Sequence, residues 1–248
     1  MDMELKEKFM TLWTKYFNNA DLPVVFFYSD SPEGDPVRPP GTGHQCLIGL
    51  VGRAVNGKTV CFDHASFGCH GGRRYLGYTH ELFPNFEYFL SCGIEGKMEG
   101  ERYKKTPEIV RELMKQAPDF EAPAKYIIFK RWDMLDEADD PAVAVFFATP
   151  DVLSGLFTLA GFEESERESV IAPFCSGCAS IVQHPFLEKD KARPRAVLGM
   201  FDVSARPYIL KDRLSLAIPM NKFSRMVNDM DQSFLITGSW RKVQKRIP

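Results

Sequence analysis

Strand-like and helix-like segments are interleaved along this chain without a regular order. The two clearest strand patterns, residues 125–132 and 142–147, follow each other directly and are rich in aromatic and β-branched side chains. Apolar residues recur at helical spacing over residues 4–18, and Thr106 and Thr149 each precede a proline, which is typical of a helix start. A doubly wound parallel sheet requires regular alternation of strand and helix. The irregular order instead predicts an α+β fold with a mixed, largely antiparallel sheet flanked by helices.

Shorter patterns complete this outline. Further strands are predicted at residues 24–28, 59–62, 195–201, 214–218 and 234–237, and further helices at residues 46–55, 85–91, 175–183 and 222–230. Pro185 should end the helix at 175–183, because proline lacks the amide that continues a helix. Residues 29–44 hold four prolines and three glycines and predict a long loop. No repeat or long linker divides the chain, so we expect a single domain over residues 1–248.

The composition excludes several classes of protein. A net charge of -2 gives no reason to expect nucleic acid or an anionic membrane as a partner. No apolar run is long enough for a transmembrane helix, and the charged start of the chain lacks the apolar core of a signal peptide. We therefore expect a cytoplasmic protein. Its six cysteines should then be free thiols, metal ligands or redox groups rather than structural disulfides.

The chemistry-bearing residues concentrate in the stretch 68–77, which packs one thiol, one imidazole, four glycines and two arginines into ten positions. Amides at Gly71 and Gly72 could face a phosphate or carboxylate, and Arg73 or Arg74 could close on it. Arg206 is a further candidate anion contact. The stretch lacks the lysine and the spacing of a phosphate-binding loop.

A second cluster lies about a hundred residues later, where Cys175 and Cys178 are spaced to share one face of a helix. The pair has the spacing of two zinc or iron–sulfur ligands, and Cys46, Cys69 and His70 could supply the others, so these segments should converge. A redox dithiol is the alternative, in which a helix N-terminus would lower the pKa of Cys175. A third interpretation is that the cysteines, Cys61 and Cys92 included, are only small buried side chains.

Acidic residues crowd the segment between the two clearest strands. Five of them fall between residues 133 and 140, without the spacing or the glycine of a calcium-binding loop. We expect this segment to be exposed and solvated.

The order of these motifs resembles an uncharacterised prokaryotic family, "domain of unknown function 169", also called ArCR. The similar stretches are residues 46–54, 69–77, 146–150, 175–185, 199–206 and 216–219, within a region from about 22 to 230. Many members carry a further cysteine in the fifth stretch, where this chain has Phe201 and Asp202. That departure weakens a strict four-cysteine cluster built from the family positions. The resemblance implies no established activity, substrate or cofactor.

Taken together, the residues favour binding of a metal or an anionic small molecule in a cysteine-lined pocket. The predicted metal or thiol site comprises Cys46, Cys69, Cys175 and Cys178, with zinc or an iron–sulfur cluster as the candidate cofactor. A thiol-redox enzyme that uses the Cys175 and Cys178 pair is one alternative, and a non-catalytic sensor or interaction protein is another.

Overall fold

The computed structural model describes residues 1–248 and contains nine α-helices and seven strands. The helices are α1 Met3–Phe17, α2 Leu47–Val55, α3 His70–Tyr75, α4 Phe86–Phe89, α5 Pro107–Lys115, α6 Pro150–Ala160, α7 His184–Glu188, α8 Met220–Asp229 and α9 Gly238–Gln244. The strands are β1 Val24–Ser29, β2 Val60–Phe62, β3 Tyr126–Arg131, β4 Val143–Ala148, β5 Val170–Ile171, β6 Ala196–Gly199 and β7 Leu214–Pro219. None of the helices combines the length and apolar character needed to cross a membrane.

All seven strands join one open sheet in the order β2-β3-β1-β4-β7-β6-β5. Every neighbouring pair is antiparallel except β5 and β6, which are parallel. The predicted α+β fold with a mixed, largely antiparallel sheet is therefore confirmed. The two-residue strand β5 escaped prediction, since so short a pairing leaves no periodic pattern in the sequence.

Helices cover both faces of the sheet, because successive side chains of a strand point to opposite faces. On the first face, α1, α6, α8 and α9 pack on strand residues such as Val25 and Phe146 to form what we call the first core. On the other face, α2 and the segment around Cys178 pack on Val24 and Val145 to form the second core. Among the cysteines of the motifs, Cys178 belongs to the second core and Cys46 packs against it.

Helix α1 shows how local sequence fixes these elements. Its N-terminus is capped by the Asp2 carboxylate, which accepts hydrogen bonds from Glu4 N at 2.9 Å and Leu5 N at 3.2 Å. Asn18 ends the helix in the left-handed conformation that asparagine tolerates. The buried face comprises Phe9, Leu12, Trp13, Tyr16 and Phe17, as the helical spacing predicts.

Two predicted elements are wrong. Residues 234–237 form a 3-10 turn, Phe234–Ile236, because the Ser233 hydroxyl accepts from Leu235 N and starts a turn there. The helix predicted at 175–183 does not stop before Pro185. It widens to a π-helix, Ala179–Gln183, and continues as α7, where Pro185 falls in the first turn and its missing amide costs little.

The acidic segment is also only partly the exposed loop that its charges predict. Asp139 is buried, and its carboxylate accepts hydrogen bonds from the buried Lys130 ammonium at 2.8 and 3.0 Å. Glu33 forms a second ion pair with Lys130 and so links the loop at residues 29–44 to the sheet. Lys130, the partner of Asp139, lies on β3 outside the acidic run. The density of acidic residues alone therefore predicted the wrong burial for Asp139.

Candidate functional site

Three cysteines stand at the starts of three helical segments. Cys46 precedes α2, Cys69 precedes α3, and Cys178 precedes the π-helix. The Cys69 sulfur caps its own helix by accepting a hydrogen bond from Gly72 N at 3.2 Å. Cys46 occupies the N-cap position of α2 with extended backbone angles, and its sulfur makes no capping hydrogen bond. Each cysteine therefore lies where a helix presents backbone N–H groups.

The structure brings these three segments together. A methyl group added at Gly72 would lie 3.0 Å from Cys69 Sγ and 3.3 Å from Leu47 Cβ, so the starts of α3 and α2 are in contact. Cys178 is buried in the second core with Leu47. Burial is the main cause that raises the pKa of Cys46 and of Cys178, with smaller contributions from the neighbouring thiols.

Asp202 lies beside the segment of Cys175 and Cys178. In the sequence it stood out only because many family members have a cysteine in that stretch. Its Oδ2 accepts a hydrogen bond from Gly177 N at 2.9 Å, between Cys175 and Cys178 in the chain. Its Oδ1 accepts from Ser204 N at 3.0 Å and Ser204 Oγ at 2.7 Å. The spacing Asp-x-Ser predicts a turn in which the serine holds the carboxylate. It does not predict which distant residues the carboxylate contacts.

The thiol of Cys175 does not have the lowered pKa that a helix N-terminus would produce. Burial, with a further contribution from the Asp202 charge, raises its pKa to about 12. The helix starts after Cys175, and its first amides are already engaged: Gly177 N bonds to Asp202 and Ala179 N to Ser176 Oγ. The expectation of an activated Cys175 thiolate is therefore wrong.

The three arginines predicted as anion contacts each bind another group of the protein. Arg73 contacts the His64 ring, and Arg74 donates to the His80 carbonyl. Arg206 donates to the carbonyls of Lys211, at 2.7 Å, and Arg213, and so closes its own loop. Of the two glycines, Gly72 donates its amide to Cys69 Sγ, while Gly71 packs beside Tyr75. No arginine or lysine is among the main causes of the raised pKa values of Cys46, Cys175 and Cys178.

The two remaining cysteines lie outside this site. Cys61 is buried in β2 against Phe27 and Ile128, as predicted for a packing residue. Cys92 is exposed, contrary to the prediction from its apolar neighbours. It follows the short helix α4, and the turn there buries Ser91 in its place. Cys61 and Cys92 thus provide natural controls for experiments on the other four thiols.

As they stand, the side chains form no ready-made metal centre. The structure contains no group of three or more histidine, cysteine, aspartate or glutamate side chains that could hold a metal ion.

Iodoacetamide should label Cys92 fastest and Cys175 slowly, the reverse of what an activated Cys175 would give. With a pKa of about 12, about one Cys175 thiol in 100,000 is ionised at pH 7. Its labelling rate should therefore rise about tenfold per pH unit from pH 7 to 10. Timed alkylation of the metal-free native protein, followed by mass spectrometry, measures both rates. Fast labelling of Cys175 at pH 7, or a Cys175 labelling rate that stops rising near pH 8, would contradict the raised pKa of this thiol.

Comparison with known proteins identifies the family. The family model of DUF169, described as uncharacterised ArCR, matches residues 15–229. No curated protein and no solved structure gives a significant match. The matched region contains all four clustered cysteines and Asp202. Because the match covers most of the chain, the protein belongs to the DUF169 (ArCR) family, as the order of its motifs predicts.

Proposed function

We propose that the protein binds a thiophilic metal centre, zinc or an iron–sulfur cluster, through Cys46, Cys69, Cys175 and Cys178. The observation that supports this most strongly is that the starts of α2 and α3, each preceded by a cysteine, are in contact. Asp202 in addition binds Gly177 N between Cys175 and Cys178 in the chain. Thiolates are the preferred ligands of zinc and of iron–sulfur clusters.

The electrostatics of the site favour a cation over an anion. Burial and the Asp202 charge both raise the pKa of Cys175, and no arginine or lysine offsets them. An anionic ligand would add a further negative charge to this environment. A metal ion instead supplies the missing positive charge and displaces the thiol protons, because a coordinating thiol is deprotonated outright.

The redox alternative receives less support from the same facts. A dithiol enzyme needs one thiolate at neutral pH, since the thiolate is the nucleophile. The pKa of Cys178 is raised well above its ordinary value by burial, as is that of Cys175. Neither thiol of the pair is therefore prepared for attack.

An interaction role is the second candidate, and one observation favours it. Large apolar side chains next to the site residues are exposed, among them Phe174 beside Cys175, and Phe201 and Val203 on either side of Asp202. Exposed apolar side chains grouped near a site are typical of surfaces that meet a partner. Such a surface would suit a sensor that reports whether metal is bound.

Zinc titration against a chromophoric chelator tests the proposed function. The unmodified chain should bind zinc and release protons as its thiols ionise. Single serine substitutions of Cys46, Cys69, Cys175 and Cys178 should each weaken zinc affinity by at least about tenfold. Serine substitutions of Cys61 and Cys92 should leave affinity unchanged. Equal affinities across all six variants would refute the proposal.

A further inference from the structure

An open cleft of about 370 Å³ lies where β4 begins, between the end of α7 and the start of α8. That volume suits a small molecule, since ligand sites in proteins measure about 300 to 1,000 Å³. The apolar part of its lining is formed mainly by Tyr28, Phe186 and Met220. None of the cysteines lines this cleft, so it is separate from the proposed metal centre.

The aromatic side chains of the cleft are held in place by their neighbours. The Tyr28 hydroxyl donates a hydrogen bond to the Leu76 carbonyl at 2.9 Å. The Tyr28 ring meets the Phe186 ring edge to face, with the two centroids 5.2 Å apart, and the Phe186 centroid lies 5.6 Å from that of Phe120. Rings that are fixed in this way lose little further freedom when a ligand binds, so the cleft is preorganised.

The charged side chains of the cleft leave an excess of negative charge. Three of them line it, namely Asp140, Lys189 and Asp190. The Lys189 ammonium donates to both carboxylate oxygens of Asp190, at 2.8 and 2.7 Å. The one positive charge of the lining is therefore paired, and Asp140 keeps an unbalanced negative charge. Such a lining favours a positively charged occupant.

Lys189 shows how this cleft holds an ammonium group. Its Nζ atom lies 4.7 Å from the centroid of the Phe186 ring while it pairs with Asp190. A cation over an aromatic ring is attracted by the negative face of the ring. One ammonium thus already binds here through a carboxylate and an aromatic ring together. Asp140 and Tyr28, which line the same cleft, offer the same two elements to a second cation.

We propose that this cleft binds a small organic cation, with its ammonium group at Asp140 and its apolar part against Tyr28, Phe186 and Met220. A primary or quaternary ammonium compound of low mass has this chemistry. The site is additional to the proposed metal centre and does not depend on it, because the two share no residue.

Ligand-detected NMR titrations with choline and with 2-phenylethylamine test the proposal on the full chain. Each cation is compared with a neutral compound of similar shape, 3,3-dimethyl-1-butanol for choline and 2-phenylethanol for the amine. At least one cation should bind about tenfold or more tightly than its neutral counterpart, which lacks the ion pair and the cation–π contact. Absence of binding by both cations, or equal affinities within both pairs of compounds, would overturn the proposal.

Two variants should change the affinity for the bound cation in opposite directions. Asp140→Asn should weaken it about fivefold, because the ion pair at the open cleft is lost. Lys189→Met should strengthen it by a similar factor, because the competing ammonium is removed and Asp190 becomes free. Glu137→Gln is the matched control, since Glu137 is an exposed carboxylate of the same segment that does not line the cleft. Its affinity should equal that of the unmodified chain.

Zinc titration of the same variants separates this proposal from the proposed function. Asp140→Asn and Lys189→Met should keep the zinc affinity of the unmodified chain, whatever the fate of the metal centre. Cation binding that neither substitution changes would place the cation elsewhere on the protein and would overturn the proposal.

Discussion

Replacing Lys130 by methionine is expected to lower the free energy of unfolding by about 3–5 kcal/mol. Lys130 and Asp139 are both buried, and their charged groups are 2.8 Å apart. The substitution leaves the Asp139 carboxylate in the interior with only the Asp136 amide as a hydrogen-bond donor. An unpaired buried charge accounts for the size of the effect, and urea denaturation measures it.

Two comparisons isolate the buried pair. Lys189→Met removes an exposed partner of Asp190 and should change stability by about 0–1 kcal/mol. Combining Lys130→Met with Asp139→Leu removes both charges and should restore much of the lost stability. If Lys130→Met lowered the free energy of unfolding by no more than Lys189→Met does, the Lys130 and Asp139 pair would not be buried as described.

Truncation of Phe9 to alanine should destabilise the protein by about 3–5 kcal/mol. Phe9 is fully buried in the first core, and its ring centroid lies 4.9 Å from that of Trp132 and 5.2 Å from those of Trp13 and Phe223. Removing it opens a cavity among aromatic side chains that cannot easily collapse. Urea denaturation measures the loss of stability. Phe157→Ala, at a half-exposed position of α6, is the control, and its free energy of unfolding should lie within about 0.5 kcal/mol of that of the unmodified chain.

The same variant tests whether the two cores act separately. Phe9 lies on the face of the sheet opposite the cysteines, so folded Phe9→Ala protein should bind zinc with the affinity of the unmodified chain. A large loss of zinc affinity in the folded variant would show that the scaffold face shapes the site directly.

Sequence patterns predicted the elements whose signals are local. Thr106 caps α5 with its hydroxyl, at 3.4 Å from Ile109 N, as the Thr-Pro pair predicts. The alternation of Val24 and Val25 between the two cores follows from strand geometry alone. These features depend on residues a few positions apart, which a single sequence displays.

The missed features depend on partners far apart in the chain. Asp139 looked like a surface residue because its partner, Lys130, lies on another element. The pKa of Cys175 was predicted in the wrong direction because Asp202 and burial, rather than a helix dipole, determine it. The π-helix before Pro185 places Ile181 and Val182 in the second core, and these long-range contacts leave no local pattern in the sequence.

The most direct test of the account is the metal content of the protein purified without oxygen. Elemental analysis and an absorption spectrum should show a stoichiometric thiophilic metal in the unmodified chain. Cys178→Ser should lose that metal, because Cys178 is a buried member of the proposed ligand set, while Cys61→Ser should retain it. A metal-free unmodified chain that also fails to take up zinc or iron on reconstitution would contradict the central claim.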